Sequence, residues 1–591
     1  MPPQAALGAG RYFFLLASAA LFALYFLIGD LLFSFGYICY FHRYYTTGKD
    51  IFLLIPAICA LSVYLCSTGF GSGLARALFR LQNLPRPLFL GSGFVLFASA
   101  ALAVAFVVFE AIPHVQDGIV QLFQARIFAS GSLYLPTPEL WEFFDVQYII
   151  NDGEKVFGKY QYGQSLFLTL GVLAGAPWLV NPILGGLSLI TIYYIAHELF
   201  DETTARLTLL LGIASPFGIF MCGSYLSHAA SLFLISLCVL CLLKTCSSQN
   251  RLYPVLAGLF FGLAFNTKAF STLTITLPCF LYILYCLLKR TIGLREILLF
   301  CLPAAAICST FFLYNYLLNG ACLTTGYDVY DPNWGFGFGP DRGEATYLGD
   351  GTRPGHSVAN GIKNTIKYFV TLNTDLFGWP SFSLGCIVLL FCCSRRSKWD
   401  YLLVLPIIVN TVGYFFLWAL AICLGARYYF EAMPMFLILT ARGIMAVSER
   451  LQRFGARRAL PDMRGVIAVS ILGLCIAGWV SYGPHCVRTY RRSFWDVNAD
   501  IHRQVQARGL QNALVFVEST HYRGTHDFPD YYNAGFIYNT LDFNGEVVYA
   551  RDLGPDKNAL LMARHPSRSC YRFIATGRAG GMLKKMASSQ D

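Results

Sequence analysis

Asp117 lies in the string Glu110-Ala-Ile-Pro-His114-Val-Gln-Asp117-Gly, just past the end of an apolar run, and an amphipathic segment, Ile119 to Ser130, comes after it. A carboxylate at a membrane exit, on a helix lying along the interface, can face a lipid-borne substrate and still be wet enough to ionise. That is where chemistry on such a substrate needs a general base. The same acid would equally serve to cap the adjoining helix, and residue type alone does not separate the two roles.

A second string, Asn151-Asp-Gly-Glu-Lys155-Val-Phe-Gly-Lys159-Tyr160-Gln-Tyr162-Gly163, precedes a short apolar helix. Lys159 beside a helix N-terminus offers an ammonium and free backbone amides to a phosphate, although a Lys-Tyr-x-Tyr-Gly string is also an interfacial aromatic anchor. Asp30, Glu110, His228, Lys268, Arg427 and Glu431 fall at or near membrane depth, where a charge is costly and usually lines a cavity or pairs. Arg427, in Gly425-Ala-Arg-Tyr-Tyr429, could grip a phosphate or pair with Glu431 four residues on. His228 at its span boundary is a candidate substrate contact, although a hydrogen-bonded packing histidine is the commoner outcome there. Farther along stand Tyr327, Asp328, Asp331, Trp334, Asp341, Glu344, Asp350 and His356, around the glycine-rich run 334–343. That run lacks the strand and helix context of a nucleotide fingerprint and suits a loop over a cleft. The acids could take a divalent cation, but their spacing is not an EF-hand loop; aromatics with scattered acids suit sugar recognition.

These residues hang on a chain of 591 residues that is 56% hydrophobic and only 13% charged. A soluble domain carries about 25% charge, so a soluble enzyme, a disordered chain and a fibrous protein are all excluded. The composition is that of a polytopic membrane protein. The net charge of +11 reads as topology, since basic residues collect in short loops on the cytoplasmic face. It does not point to nucleic acid. The 19 cysteines lie mostly in apolar runs without zinc-ligand spacing, and only a pairing of Cys486 with Cys570 suggests itself.

Hydropathy lays out about thirteen spans, near 12–41, 50–66, 87–110, 178–198, 206–224, 229–244, 254–268, 271–288, 296–317, 380–394, 400–423, 428–447 and 464–482. With the N-terminus inside, every basic short loop after the second span falls on the cytoplasmic side. Arg43 and Lys49 oppose the rule, and the first stretch could be two spans broken at Gly29-Asp30. An apolar piece at 164–176 is too short to cross and reads as re-entrant or juxtamembrane. The expected organisation is N-terminal spans in 1–110, a first outer region with the acid in 111–177, spans in 178–317, a second outer region in 318–379, spans in 380–482, and a soluble outer domain in 483–591. In that last domain strands are expected at 513–518, 546–550, 558–563 and 570–575, and a helix at 500–508. The fold class is thus α-helical and polytopic, with a small C-terminal α/β or α+β domain.

This layout resembles the GT-C membrane glycosyltransferases, most of all the family of bacterial aminoarabinose transferases and protein O-mannosyltransferases. The resemblance covers roughly residues 87–482. It rests on His114-x-x-Asp117 followed by Gln124-Ala-Arg-x-x-Ala-x-Gly131, on Lys159-Tyr-x-x-Gly163 before Leu-x-x-Gly171, and on Gly425-Ala-Arg-Tyr-Tyr429. It implies a polyprenyl-phosphate sugar as donor and an acid near the acceptor, a position that Asp117 matches. Lys159 resembles the basic residue that meets the lipid phosphate, and Arg427 would be a further phosphate partner. Two departures are visible. Gly118 stands where the family has the second acid of an Asp-Glu pair, and Lys159-Tyr-Gln-Tyr replaces a Lys-Pro-Pro or His-Pro-Pro string.

The expected activity is transfer of a sugar to a glycolipid, a cell-envelope glycan or a protein at the outer face of a bacterial inner membrane. Glu110, His114, Tyr160, Tyr162, His228 and His356 are further candidates for substrate contact. No cofactor is required, and a divalent cation is compatible with the acids. A flippase for lipid-linked sugars is the rival reading; it would favour midplane charges, broken helices and internal symmetry. A receptor-like or assembly protein is a third.

Overall fold

The computed structural model describes residues 12–24, 50–81, 83–344, 353–379, 382–456, 462–491, 497–518, 531–575 and 580–586. The chain is mostly helical. Among the described residues, seven helices are long and apolar enough to cross a membrane: Arg86–Val107, Pro177–Leu199, His228–Ser247, Leu252–Leu288, Leu294–Asn319, Arg427–Gly455 and Met463–Tyr490. An eighth candidate is added to these helices if the pair Glu202–Ile213 and Pro216–Gly223, bent by 59°, is one span. The bend falls where Ser215 accepts the Gly218 N–H and Pro216 takes the first helical position, a cap that starts a helix afresh. The expected span at 380–394 is a helix of only 9 residues, Gly385–Cys393, and that at 400–423 stops at Phe415. Asp30 and the Gly29-Asp30 break, with Arg43 and Lys49, lie outside the described residues.

The 37-residue run Leu252–Leu288, taken as one helix in that count, is a hairpin of two. Its backbone leaves helical geometry at Lys268, with φ −152° and ψ 82°. A straight helix would hold Phe261 and Phe280 about 28 Å apart at ~1.5 Å per residue. Their ring centroids are 5.3 Å apart, and both rings also meet Phe300. The two spans expected at 254–268 and 271–288 therefore stand side by side, joined without a loop. Their free ends, near Arg251 and Lys289, lie at the end of the hairpin away from Lys268.

The first polar region contains the helix Gln116–Ala129 and a small antiparallel sheet. Strands β1 (Leu135–Pro136), β2 (Ile149–Asn151) and β3 (Lys155–Gly158) run in the order β1-β3-β2. The apolar piece expected at 164–176 is the helix Gly163–Leu173, which docks on the first helix through Ser165 Oγ to Gln121 O and Thr169 Oγ1 to Ala125 O.

The C-terminal region holds a second sheet in the order β5-β4-β6-β7, with β4 (Ala513–Val517) parallel to both β5 (Val547–Arg551) and β6 (Ser569–Ala575), and β7 (Gly581–Lys585) antiparallel to β6. A helix at Asp500–Ala507 meets the expectation for 500–508. The strand expected at 558–563 is instead part of the helix Pro555–Arg564. Pro555 opens it after Gly554, and the Lys-Asn-Ala-Leu-Leu-Met-Ala-Arg run is made of helix formers, a bias the short apolar stretch hid. Cys486 and Cys570 are both free thiols. Cys486 is buried among the spans and Cys570 packs on the C-terminal core, so the suggested disulfide belongs to two different cores.

The C-terminal region does not float. Ile119, Val120, Phe123 and Ile127 of the first-region helix share one hydrophobic core with Leu514, Val515, Phe536 and Val548. Arg126 donates to the carbonyls of Ile537 and Asn539, at 3.0 and 2.5 Å.

Candidate functional site

Asp117 stands in the first turn of the helix Gln116–Ala129. Its side chain does not cap that turn. Oδ1 accepts the Tyr160 hydroxyl at 2.8 Å, and Oδ2 accepts from Arg427 Nη1 at 3.3 Å. Arg427 therefore pairs with Asp117, and the alternative pairing with Glu431 does not form. A quarter of the Asp117 side chain (25%) and 16% of that of Arg427 remain accessible, so the pair borders an open space. Burial alone would raise the Asp117 carboxyl; the Arg427 charge, the Tyr160 hydroxyl and the Lys159 charge outweigh it and hold the group below the usual carboxylate range. Beside it, a Cβ on Gly118 would lie 3.1 Å from both Pro113 Cβ and Tyr225 Cβ. A side chain there, let alone a second acid, has no room without a shift of Tyr225.

Lys159 is only 2% exposed. Its ammonium sits in a box of rings, 3.2 Å from the centroid of Tyr148, 4.0 Å from Trp334, 4.5 Å from Tyr330, 5.1 Å from Tyr327 and 5.4 Å from Tyr160. Nζ makes no hydrogen bond. The direct phosphate contact expected of Lys159 is not available to an ammonium shielded in this way; its charge reaches Asp117 past Tyr160. Burial pushes Lys159 down to about 7, with the charges of Glu344 and Asp117 opposing that push. Each cation–ring contact in such a dry place contributes up to about 2 kcal/mol, which offsets part of the lost hydration. Glu344 is itself fastened to the box, accepting from Gln147, Tyr148 and Tyr330.

Arg427 has a neighbour of the same sign. Lys268, at the apex of the hairpin, holds Glu431 Oε1 at 3.1 Å and lies 3.0 Å from His228 Nδ1, which in turn is 2.9 Å from Glu431 Oε1. His228 thus packs into a buried ionic cluster at the edge of the site.

The other candidates are placed elsewhere. Glu110 takes the Ala499 N–H at 2.9 Å and pairs with Arg503 at 2.8 Å, so it fastens the C-terminal region. His114 is buried against Phe109, its ring pushed by burial down to about 4. Tyr162 turns to Thr310 and Tyr314. His356 is buried in the second polar region, bonded through Nε2 to the Phe415 carbonyl at 3.0 Å. Two acids of that region are engaged too, Asp328 accepting the Thr325 N–H and Asp331 pairing with Arg353; Asp341 is exposed, and Asp350 lies outside the described residues. Among the described residues, no three His, Cys, Asp or Glu side chains converge as metal ligands.

Residues 160–314 match the family model described as dolichyl-phosphate-mannose-protein mannosyltransferase. The resemblance to GT-C membrane glycosyltransferases stands. The matched part of this mannosyltransferase family model takes in Tyr160, His228 and Lys268; Asp117, Lys159 and Arg427 lie outside it. No curated protein matches the chain. Among solved structures, ArnT from Cupriavidus metallidurans in the apo state is 16% identical with a TM-score of 0.48, covering 82% of this chain and 92% of that one. The same protein bound to undecaprenyl phosphate gives 16% and 0.47, over 84% and 98%. The Archaeoglobus fulgidus oligosaccharyltransferase in the apo form gives 12% and 0.41, over 83% and 70%.

Proposed function

We propose that the protein transfers a sugar from a polyprenyl-phosphate donor to an acceptor hydroxyl at the outer face of the membrane, the acceptor being a glycolipid, a cell-envelope glycan or a protein. The observation that carries this reading is the accessible Asp117–Arg427 pair, a carboxylate and a guanidinium side by side at the margin of a bundle of apolar helices. The family description adds the chemistry of relatives, a mannose carried on dolichyl phosphate.

In the reaction the acceptor oxygen bonds to the anomeric carbon while the bond from that carbon to the phosphate oxygen breaks. The electron pair leaves with the lipid phosphate, and the acceptor proton passes to Asp117. Arg427 offsets the charge that grows on the departing phosphate. The pairing of Asp117 with Arg427 gives the sequence of events a logic. A carboxylate held by Arg427 is a weak base, and a phosphate that engages Arg427 competes for the guanidinium and returns basicity to Asp117. The base is thereby activated only when donor is present.

The test is release of free polyprenyl phosphate by the purified protein given a lipid-linked sugar and candidate acceptors. Wild type should release it, and Asp117→Asn, isosteric and still inserted in the membrane, should not. An Asp117→Asn protein of full activity would overturn the assignment. A flippase would move the donor intact and release none.

A further inference from the structure

The hairpin apex at Lys268 is a built feature with a charge at its tip. The reversal frees the backbone of Ala269, whose N–H donates to Gln161 Oε1 at 3.0 Å. Gln161 comes from the Lys159-Tyr-Gln-Tyr string, so that string anchors the apex as well as supplying Tyr160 to Asp117. Gly163 lies so close that a Cβ there would be 2.2 Å from Thr267 Oγ1 and 2.9 Å from the Asn266 carbonyl. Below the apex, Asn266 Nδ2 donates to the carbonyls of Gly262 and Ile307, both at 2.9 Å.

The tip points toward the pair already described. Lys268 Nζ lies 5.6 Å from the centroid of Tyr428, and the Arg427 guanidinium carbon lies 5.7 Å from the same ring. That ring is itself held, stacked on Tyr414 at 4.5 Å and 8°. The Lys268 side chain keeps 16% of its surface accessible, while its partner Glu431 keeps 1%. Two cations and two carboxylates therefore balance one another, Arg427 with Asp117 and Lys268 with Glu431.

We propose that Lys268 is a second cation for the phosphate of the lipid donor, shared with Glu431 before the donor arrives and turned to the phosphate once it is bound. This rests on the transfer reaction proposed above. The donor is a phosphodiester with one negative charge, and bond cleavage leaves a phosphate monoester that carries a second. Arg427, once drawn from Asp117, meets one charge. Lys268 meets the charge that appears on cleavage, and Glu431 with His228 keeps the ammonium in place without consuming it, because Glu431 also holds His228 Nδ1. Lys268 should thus matter more for the free lipid phosphate than for the intact donor.

The test uses the full chain in nanodiscs, with the free polyprenyl phosphate and inorganic phosphate as separate probes, and with kcat and KM for the lipid-linked sugar. Lys268→Met should weaken binding of the free polyprenyl phosphate roughly tenfold to a hundredfold, the scale of one charge-assisted contact, and lower kcat more than it raises KM. Lys268→Arg should recover most of both. Because Lys268→Met leaves Glu431 buried without its cation, the double variant Lys268→Met/Glu431→Gln keeps the charge balance and should fold yet show the same loss. Wild-type affinity for the lipid phosphate in the folded double variant would overturn the proposal. Equal loss for inorganic phosphate assigns the subsite to the phosphate alone; loss confined to the lipid form assigns it to the headgroup as presented on its tail. If wild type binds lipid phosphate through Lys268 but cleaves no donor, the transfer reading fails and the site remains.

Discussion

Arg427 Nη1 meets Asp117 Oδ2 at 3.3 Å across 310 residues of chain. The guanidinium comes from the start of a long apolar helix and the carboxylate from a polar region, so their meeting joins the two.

Replacing Arg427 with Met should leave Asp117 with burial as its dominant influence. Its carboxyl then rises, and the acid limb of the pH–rate profile moves to higher pH. The rate of polyprenyl phosphate release should fall about a hundredfold to a thousandfold, the range seen when a positioned charge is removed from a transition state. Arg427→Lys should restore part of the rate. A profile unmoved by Arg427→Met would show that the two groups do not titrate together.

Tyr160 gives Asp117 a hydrogen bond and lends its ring to Lys159. Tyr160→Phe keeps the ring and loses the bond, so release should drop about tenfold while the thermal midpoint changes little. Tyr160→Ala opens the box as well and should lower both.

Lys159 is the group whose titration should be visible in stability. Its folded pKa of about 7 lies below the ordinary lysine value near ~10.4, so between these limits the unfolded chain binds more protons than the folded one. Stability must then rise with pH across that window, by up to roughly 1.4 kcal/mol per pH unit, and level off below pH 7 where both forms are protonated. Thermal unfolding of the purified protein between pH 7 and 9 should show the rise. Lys159→Met should flatten it and gain most at the acid end.

The clamp on the C-terminal region separates strong contacts from weak ones. Arg503 is 47% exposed on its side chain, so Arg503→Ala should cost under about 1 kcal/mol. Arg126 is partly buried against two backbone carbonyls, and Arg126→Ala strands both. Limited proteolysis within 500–586 should quicken in the second variant only.

Much of this was legible in the sequence because membrane depth makes charge conspicuous. Asp117, Arg427, Lys268, Glu431 and His228 all stand out as polar residues at the ends of apolar runs, and they do converge. The two arms of the hairpin stand in the sequence as separate apolar runs, 254–268 and 271–288, the first ending in Lys268. What could not be read is which charge takes which partner. Arg427 and Glu431 are four residues apart, yet the stretch Arg427–Ala432 is 3-10 rather than α-helical, which turns their side chains to different partners. The box around Lys159 was hidden for another reason. Its rings come from residues 148, 160, 327, 330 and 334, and no local spacing links the two polar regions. Glu110 resembled a site acid because the Arg503 that claims it lies 393 residues on.

The shared core between the helix Gln116–Ala129 and the C-terminal sheet has a temporal consequence. The acid-bearing helix is made early in synthesis; part of its apolar face is covered by Phe143, Phe144 and Val156 of its own region, and the rest by Leu514, Val515, Phe536 and Val548, made much later. That second part of the face stays uncovered until the C-terminal sheet has been made, after the apolar helices between them. A chain halted before that sheet would hold Tyr160 and Arg427 for Asp117 and still leave the helix that carries it packed on one side only.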